Sequence, residues 1–208
     1  MTRKSEKRRK GSGIQTLLTR QEKLKYRLIL EGIAVGLLAG LVSSAFRWTL
    51  MEAESIRTLF VESARQKLTL AVLGIFLLGA LAVFIAALLK REPLISGSGI
   101  PQVEGELHGK INANWLEVLL AKFLGAVCAI GGGLSLGREG PSIQLGAMVG
   151  KGFSRLNNRF RTEEKLLMTC GAGAGLALGG LAGQALGLFA GDALGFGAFG
   201  FFARPLLS

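Results

Sequence analysis

The sequence predicts an all-α integral membrane protein, and three observations carry that expectation. Half of the 208 residues are hydrophobic, and the mean hydropathy is +0.44. Charge-free apolar runs recur: residues 68–89 and 166–191 contain no Asp, Glu, Lys or Arg. As a helix rising about 1.5 Å per residue, the run 68–89 is roughly 33 Å long, enough to cross a bilayer core. The charges also sit where a membrane protein keeps them. Much of the formal net charge of +11 lies in residues 1–27, and Lys90–Arg91 closes the second apolar run. Lys and Arg at helix ends favour the cytoplasmic side, so two crossings put both clusters inside. The expected localisation is multi-pass in the plasma (inner) membrane, with a cytoplasmic N-terminus.

Taken in order, residues 1–27 read as a basic cytoplasmic tail drawn to anionic lipid, and no nucleic-acid partner is expected. Residues 32–42 followed by "SSA" look like a signal-peptide core and cleavage site. The polar stretch ahead of them is too long for that, which favours an uncleaved first helix over 25–60. Its run 32–46 spans only with its flanks. Gly32, Gly36 and Gly40 form a small-residue stripe that admits a neighbouring helix. A second span is expected over 68–90. "REPLISGSGIPQVEG" then breaks the pattern, and helix resumes near Trp115; residues 123–137 are another short apolar run. "GGGLSLGREGP" breaks it again. A short segment over 141–153 and the polar connector "SRLNNRFRTEEK" follow. From Gly171 to Gly195 a glycine recurs at every fourth position. That stripe reads either as a long packing face, winding about 40° per step around a helix, or as Gly/Ala/Leu low complexity. About three full spans and some partial ones result.

Several chemistries find no support. Cys128 and Cys170 lie in apolar stretches without a CxxC, and are expected as buried thiols, with no disulfide and no metal. His108 is the sole histidine and reads as a solvated or capping side chain. "GAGAG" lacks the Lys-Ser/Thr and the spacing of a phosphate loop. Neither a catalytic constellation nor an organic cofactor is indicated, so no enzyme is expected.

The informative residues lie in the two breaks. "GSGIP" (97–101) and "GREGP" (137–141) share a pattern: glycine, polar residue, glycine, then proline at a helix start. Proline suits the first helical turn because no amide donor is needed there, and glycine allows close backbone approach. Helix N-termini present orphan N–H groups and partial positive charge, and so attract anions. Broken helices within a membrane mark transporter binding sites. An ionisable residue in such a place is a functional candidate by default. Glu139 beside a helix N-terminus can compete with a mobile anion and leave when protonated; the alternative is that it pairs with Arg138 or caps the helix.

"GSGIPQVEG" followed about forty residues on by "GREGPSIQLGA" resembles the CLC family of chloride channels and chloride/proton antiporters, over residues 31–177. The resemblance implies a fold of tilted, partly spanning helices in two inverted halves, of which this chain carries the first repeat only (28–177). It implies chloride as the transported ligand, protons as a possible second one, and a homodimer within membrane lipid. Ser98, Gly99 and Ile100 would belong to a central anion site, with the Ser98 hydroxyl on chloride. Gly140, Ser142 and Ile143 would line an external anion site with their amides. Glu139 would be the gating and proton-linked glutamate, and Arg138 structural.

The chain also departs from the family. The second-half Gly-Lys-Phe-x-Pro motif and the internal proton-transferring glutamate are absent; "GKGF" at 150–153 lacks the proline. The only tyrosine is Tyr26. Residues 178–208 form a divergent Gly/Ala/Leu-rich tail, and the dimer-interface helices belong to the part not matched. The expectation is a truncated or frameshifted first half that is either a transporter or a non-transporting membrane subunit needing a second chain.

Overall fold

The computed structural model describes residues 3–157 and 160–193, with side chains described for 26–181 apart from 66, 158 and 159. Six α-helices follow one another: α1 (Arg3–Gln66), α2 (Leu68–Arg91), α3 (Ile100–Leu107), α4 (Trp115–Gly131), α5 (Glu139–Leu156) and α6 (Arg161–Ala193). A single 3-10 turn, Pro93–Ile95, separates α2 from α3, and no strand occurs among the described residues. The fold class expected from sequence is the one observed.

α1 is longer than the expected 25–60 at both ends. Its backbone is helical from Arg3, and it continues through "VESARQ", which has neither glycine nor proline to stop it. One extended residue, Lys67 (φ −135°, ψ 115°), makes the corner into α2. α2 matches expectation and ends where Pro93 forces Glu92 out of helical conformation. Lys90 and Arg91 occupy its last turn, where cations complement the helix dipole. No residue of α2 is buried. Together with Tyr26–Arg65 of α1, it is one of two helices among the described residues long and apolar enough to cross a membrane. The third expected span, 166–191, forms the body of α6, partly beyond the described side chains.

α5 is the centre of the fold. The segment expected to end at residue 153 reaches Leu156, and α6 starts inside the polar connector. α1, α4 and α6 pack around α5, and most of its residues are buried. Between α5 and α6 the helix backbones meet through glycine. A Cβ at Gly146 would strike the Gly171 carbonyl, and a Cβ at Gly150 would strike that of Leu167. Gly175 is equally close to the Ser142 carbonyl, so the two helices run antiparallel. On α1, Gly32, Gly36 and Gly40 face Cys170, Ala174 and Leu178 in parallel register. In lipid there is little hydrophobic drive between helices, and small residues allow the close dispersion contact that holds them. The packing-face reading of the glycine stripe therefore holds for Gly171, Gly175 and Gly179. Gly183, Gly187, Gly191 and Gly195 lie outside the described side chains, as does most of the 178–208 tail.

Two apolar clusters flank this axis. Ile95, Val103, Val118, Met148 and Met168 form one. Phe46, Leu50, Ala126, Ile130 and Leu145 form the other, with Phe46 set edge-on to Phe123 at 5.5 Å. Cys128 and Cys170 are free and half-buried rather than buried, because both sit on helix flanks instead of in these clusters. His108 is exposed at the C-cap of α3, its N–H bonded to the Glu104 carbonyl.

One ion pair is enclosed. The buried Lys151 ammonium donates to Glu106 Oε1 and to the Ala113 carbonyl at 2.7 Å, while Ala113 N–H donates to the same carboxylate oxygen at 3.0 Å. The pair ties α3 and its following loop to α5. Lys151→Met is expected to cost about 3–5 kcal/mol, because it strands the Glu106 charge. Lys151→Met with Glu106→Met is expected to recover most of that. Detergent melting curves of the two variants check it; equal melting temperatures would refute the pairing.

Candidate functional site

The two breaks expected from sequence do start helices. α3 begins at Ile100 with Pro101 in its first turn, after Gly97 (φ 67°) and Gly99 (φ 91°), both left-handed. α5 begins at Glu139 with Pro141 in its first turn. Neither N-cap residue, Gly99 or Arg138, closes its helix with a side-chain hydrogen bond. The start of each helix thus keeps amide donors without an intrahelical acceptor.

The fold brings these two starts together, although forty residues separate them. Gly140 lies directly against Ser98: a Cβ there would meet the Ser98 carbonyl and its Cβ. Gly99 lies against Gln144, whose side chain occupies the space a Cβ would need. Glycine is required at both positions for contact between the termini. Gly140 and Ser142 are buried and Ile143 half-buried, whereas Ser98 and Ile100 are exposed. The Ser142 hydroxyl is engaged within its own helix, donating to the Arg138 carbonyl at 2.9 Å. Only its backbone remains for a ligand.

Arg138 and Glu139, adjacent in sequence, have separate surroundings. Arg138 Nη2 pairs with Glu54 Oε1 of α1 at 2.5 Å. Glu139 is exposed and makes no hydrogen bond or ion pair among the described residues. The Arg138–Glu139 pair considered from sequence does not form. Arg47 of α1 is near enough for both Arg138 and Glu139 to act on it electrostatically, but it makes no ion pair with the Glu139 carboxylate.

Three residues that shape the site went unnoticed in the sequence. Lys122, buried in α4, donates to the carbonyls of Ile95 and Gly97 at 2.8 Å each and clamps the "GSGIP" turn. Gln144 donates to the Leu94 carbonyl at 2.9 Å and fills the space over Gly99. Gln102 closes the turn on itself through the Ser96 carbonyl at 2.8 Å. A lysine inside the apolar run after Trp115 was the available signal for the first, since an ammonium there must find carbonyl partners. The glutamines gave no comparable signal. Lys122→Met is expected to leave both carbonyls unpaired, costing about 3 kcal/mol. A melting curve in detergent checks this; an unchanged melting temperature would deny the clamp.

The likeness to known proteins agrees with this geometry. A family profile described as voltage gated chloride channel matches residues 81–179, which include both helix starts. The H(+)/Cl(-) exchange transporter ClcA of Vibrio cholerae serotype O1 is 35% identical over 161 residues, covering 76% of this chain and 34% of the relative. The transporter of the same name from Citrobacter koseri is 34% identical over 173 residues, covering 81% and 36%. The crystal structure of a slow cyanobacterial Cl-/H+ antiporter superposes with a TM-score of 0.69 at 31% identity, over 74% of this chain and 36% of that one. The chain spans about a third of the length of the curated relatives it matches. From its paired helix starts, its all-helical membrane fold and these likenesses, the chain belongs to the CLC family.

Proposed function

We propose that this chain takes part in chloride transport across a membrane by way of the paired helix starts, with Glu139 as the gate. The observation that carries the reading is the contact of Gly140 with Ser98, which sets two amide-rich helix starts side by side. Helix N-termini attract anions through orphan amides and the dipole, without a fixed cation that would hold chloride too tightly. In this reading Ser98, Gly99 and Ile100 serve the inner of two anion positions. Gly140, Ser142 and Ile143 serve the outer one through their backbone. Glu139, unpaired and next to the outer position, occupies it as a tethered anion and vacates it on protonation. Proton coupling is part of the proposal because the named relatives are H(+)/Cl(-) exchange transporters. A cytoplasmic N-terminus accords with Lys90 and Arg91 at the end of the second crossing.

The test is chloride efflux from liposomes holding the purified chain, with an impermeant anion outside. Efflux that collapses when Gly140→Val drives the two starts apart supports the reading. Efflux indifferent to that substitution would refute it. Absence of efflux from inserted, folded protein would assign the chain a share of a pathway that further polypeptide completes, as its one-third coverage of the relatives allows.

A further inference from the structure

Away from the helix starts, a cleft of about 130 Å³ opens where the end of α3, the end of α5 and the start of α6 meet. At about 30 Å³ per water, it has room for roughly four waters or one tetrahedral oxyanion. Lys110, Arg155, Arg161 and Lys165 line it, with Glu164 and Glu106 as the acidic members. The buried Lys151 already neutralises Glu106 at its floor. Arg155, Arg161 and Glu164 lie within electrostatic range of that same ammonium, so the charges form one cluster. Five cations meet two carboxylates, which leaves three positive charges in excess.

The cluster is also held in place. Arg155 donates to Asn112 Oδ1 at 2.9 Å and pairs through Nε with Glu164 Oε2 at 3.2 Å. Asn112 lines the same cleft, and with its oxygen accepting from Arg155 and Lys151 its amide nitrogen, a double donor, has no acceptor among the described residues. The side chains of Lys110, Arg161 and Lys165 have no hydrogen-bond or ion-pair partner among the described residues. Fixed guanidinium and amide donors beside free cations suit a polyvalent oxyanion, since charge-assisted and bidentate contacts to phosphate are strong. A halide would use one charge and leave the donors unfilled.

We propose that this α3–α5–α6 cleft binds a phosphate group, supplied either by a free phosphate or by a lipid headgroup. The proposal does not depend on whether chloride crosses at the paired helix starts. Lys110, Arg161 and Lys165 supply the charge, while Arg155 and Asn112 orient the oxygens.

The test is thermal unfolding of the full chain in a neutral detergent, titrated with sodium phosphate against sodium chloride at matched ionic strength. A second arm compares nanodiscs of phosphatidylcholine with and without phosphatidic acid. A saturable rise in melting temperature with phosphate, absent with chloride, identifies a free anion as ligand. A rise confined to phosphatidic acid identifies the headgroup. Either effect should weaken at least tenfold in affinity in Arg161→Gln with Lys165→Gln, whose exposed side chains leave the buried ion pair intact. It should persist in Lys90→Gln with Arg91→Gln, which keeps the cleft. No saturable shift in either arm would overturn the proposal. So would equal shifts with chloride, or an unchanged response in the Arg161/Lys165 variant.

Discussion

Gly146→Leu is expected to destroy the folded state of this chain, whereas Gly173→Ala, on the opposite face of α6 from the crossing, should leave it intact. At Gly146 even a Cβ would enter the Gly171 carbonyl, and the Gly175 Cα is also close. The obstacle is helix backbone, so no rotamer change relieves it. Overpacking in well-packed interiors costs about 1–3 kcal/mol where side chains can move. Here α5 and α6 must separate, and a loss above about 3 kcal/mol is expected. Separation would also expose the carbonyls of Ser142 and Leu167, and would loosen α1, whose Gly32 and Gly36 pack on α6. Gly173 meets nothing within reach of a Cβ, and alanine gains about 1 kcal/mol of helix propensity there. Size-exclusion profiles and melting curves in detergent separate the two outcomes. If Gly146→Leu melts like Gly173→Ala, the crossing does not hold the fold.

The second large effect is expected at Glu139, and it rests on the proposed gate. Where chloride flux is measurable, wild-type flux should rise as pH falls, because protonation removes the tethered anion from the outer position. Glu139→Gln carries no such anion at any pH. Its flux should be high and flat, with a pH response reduced about tenfold or more, within the range usual for coupling between two ligands. Glu54→Gln is the useful contrast: it releases Arg138 but leaves the Glu139 carboxylate in place. Its pH response should persist. A Glu139→Gln protein that keeps the wild-type pH dependence of flux would remove this residue from the gating role.

The helices themselves were legible in the sequence. The charge-free run of α2 and its closing Lys90, Arg91 and Pro93 set its ends closely, because composition and proline act locally. The starts of α3 and α5 were also legible, since glycines followed closely by proline, as in GSGIP and GREGP, are a local instruction to turn and begin a helix. Boundaries drifted where nothing local stops a helix. α1 ran past Phe60, and α6 began inside the connector. The glycine stripe was ambiguous in sequence because a close-packing face needs a partner, and the partner glycines Gly146 and Gly150 lie on another helix.

By itself the sequence determined the fold class, the apolar runs of α1 and α2 that are long enough to cross a membrane, and the identity of the residues at the two breaks. These follow from hydropathy, backbone stereochemistry and charge, which act within a turn or two of chain. Only the tertiary structure decided that Gly140 rests on Ser98, that Arg138 turns to Glu54 and leaves Glu139 unpaired, and that Lys122 clamps the first break. Those facts join residues 25 to 84 positions apart. Such contacts are selected by which helix faces can approach closely, and no spacing along the chain encodes that.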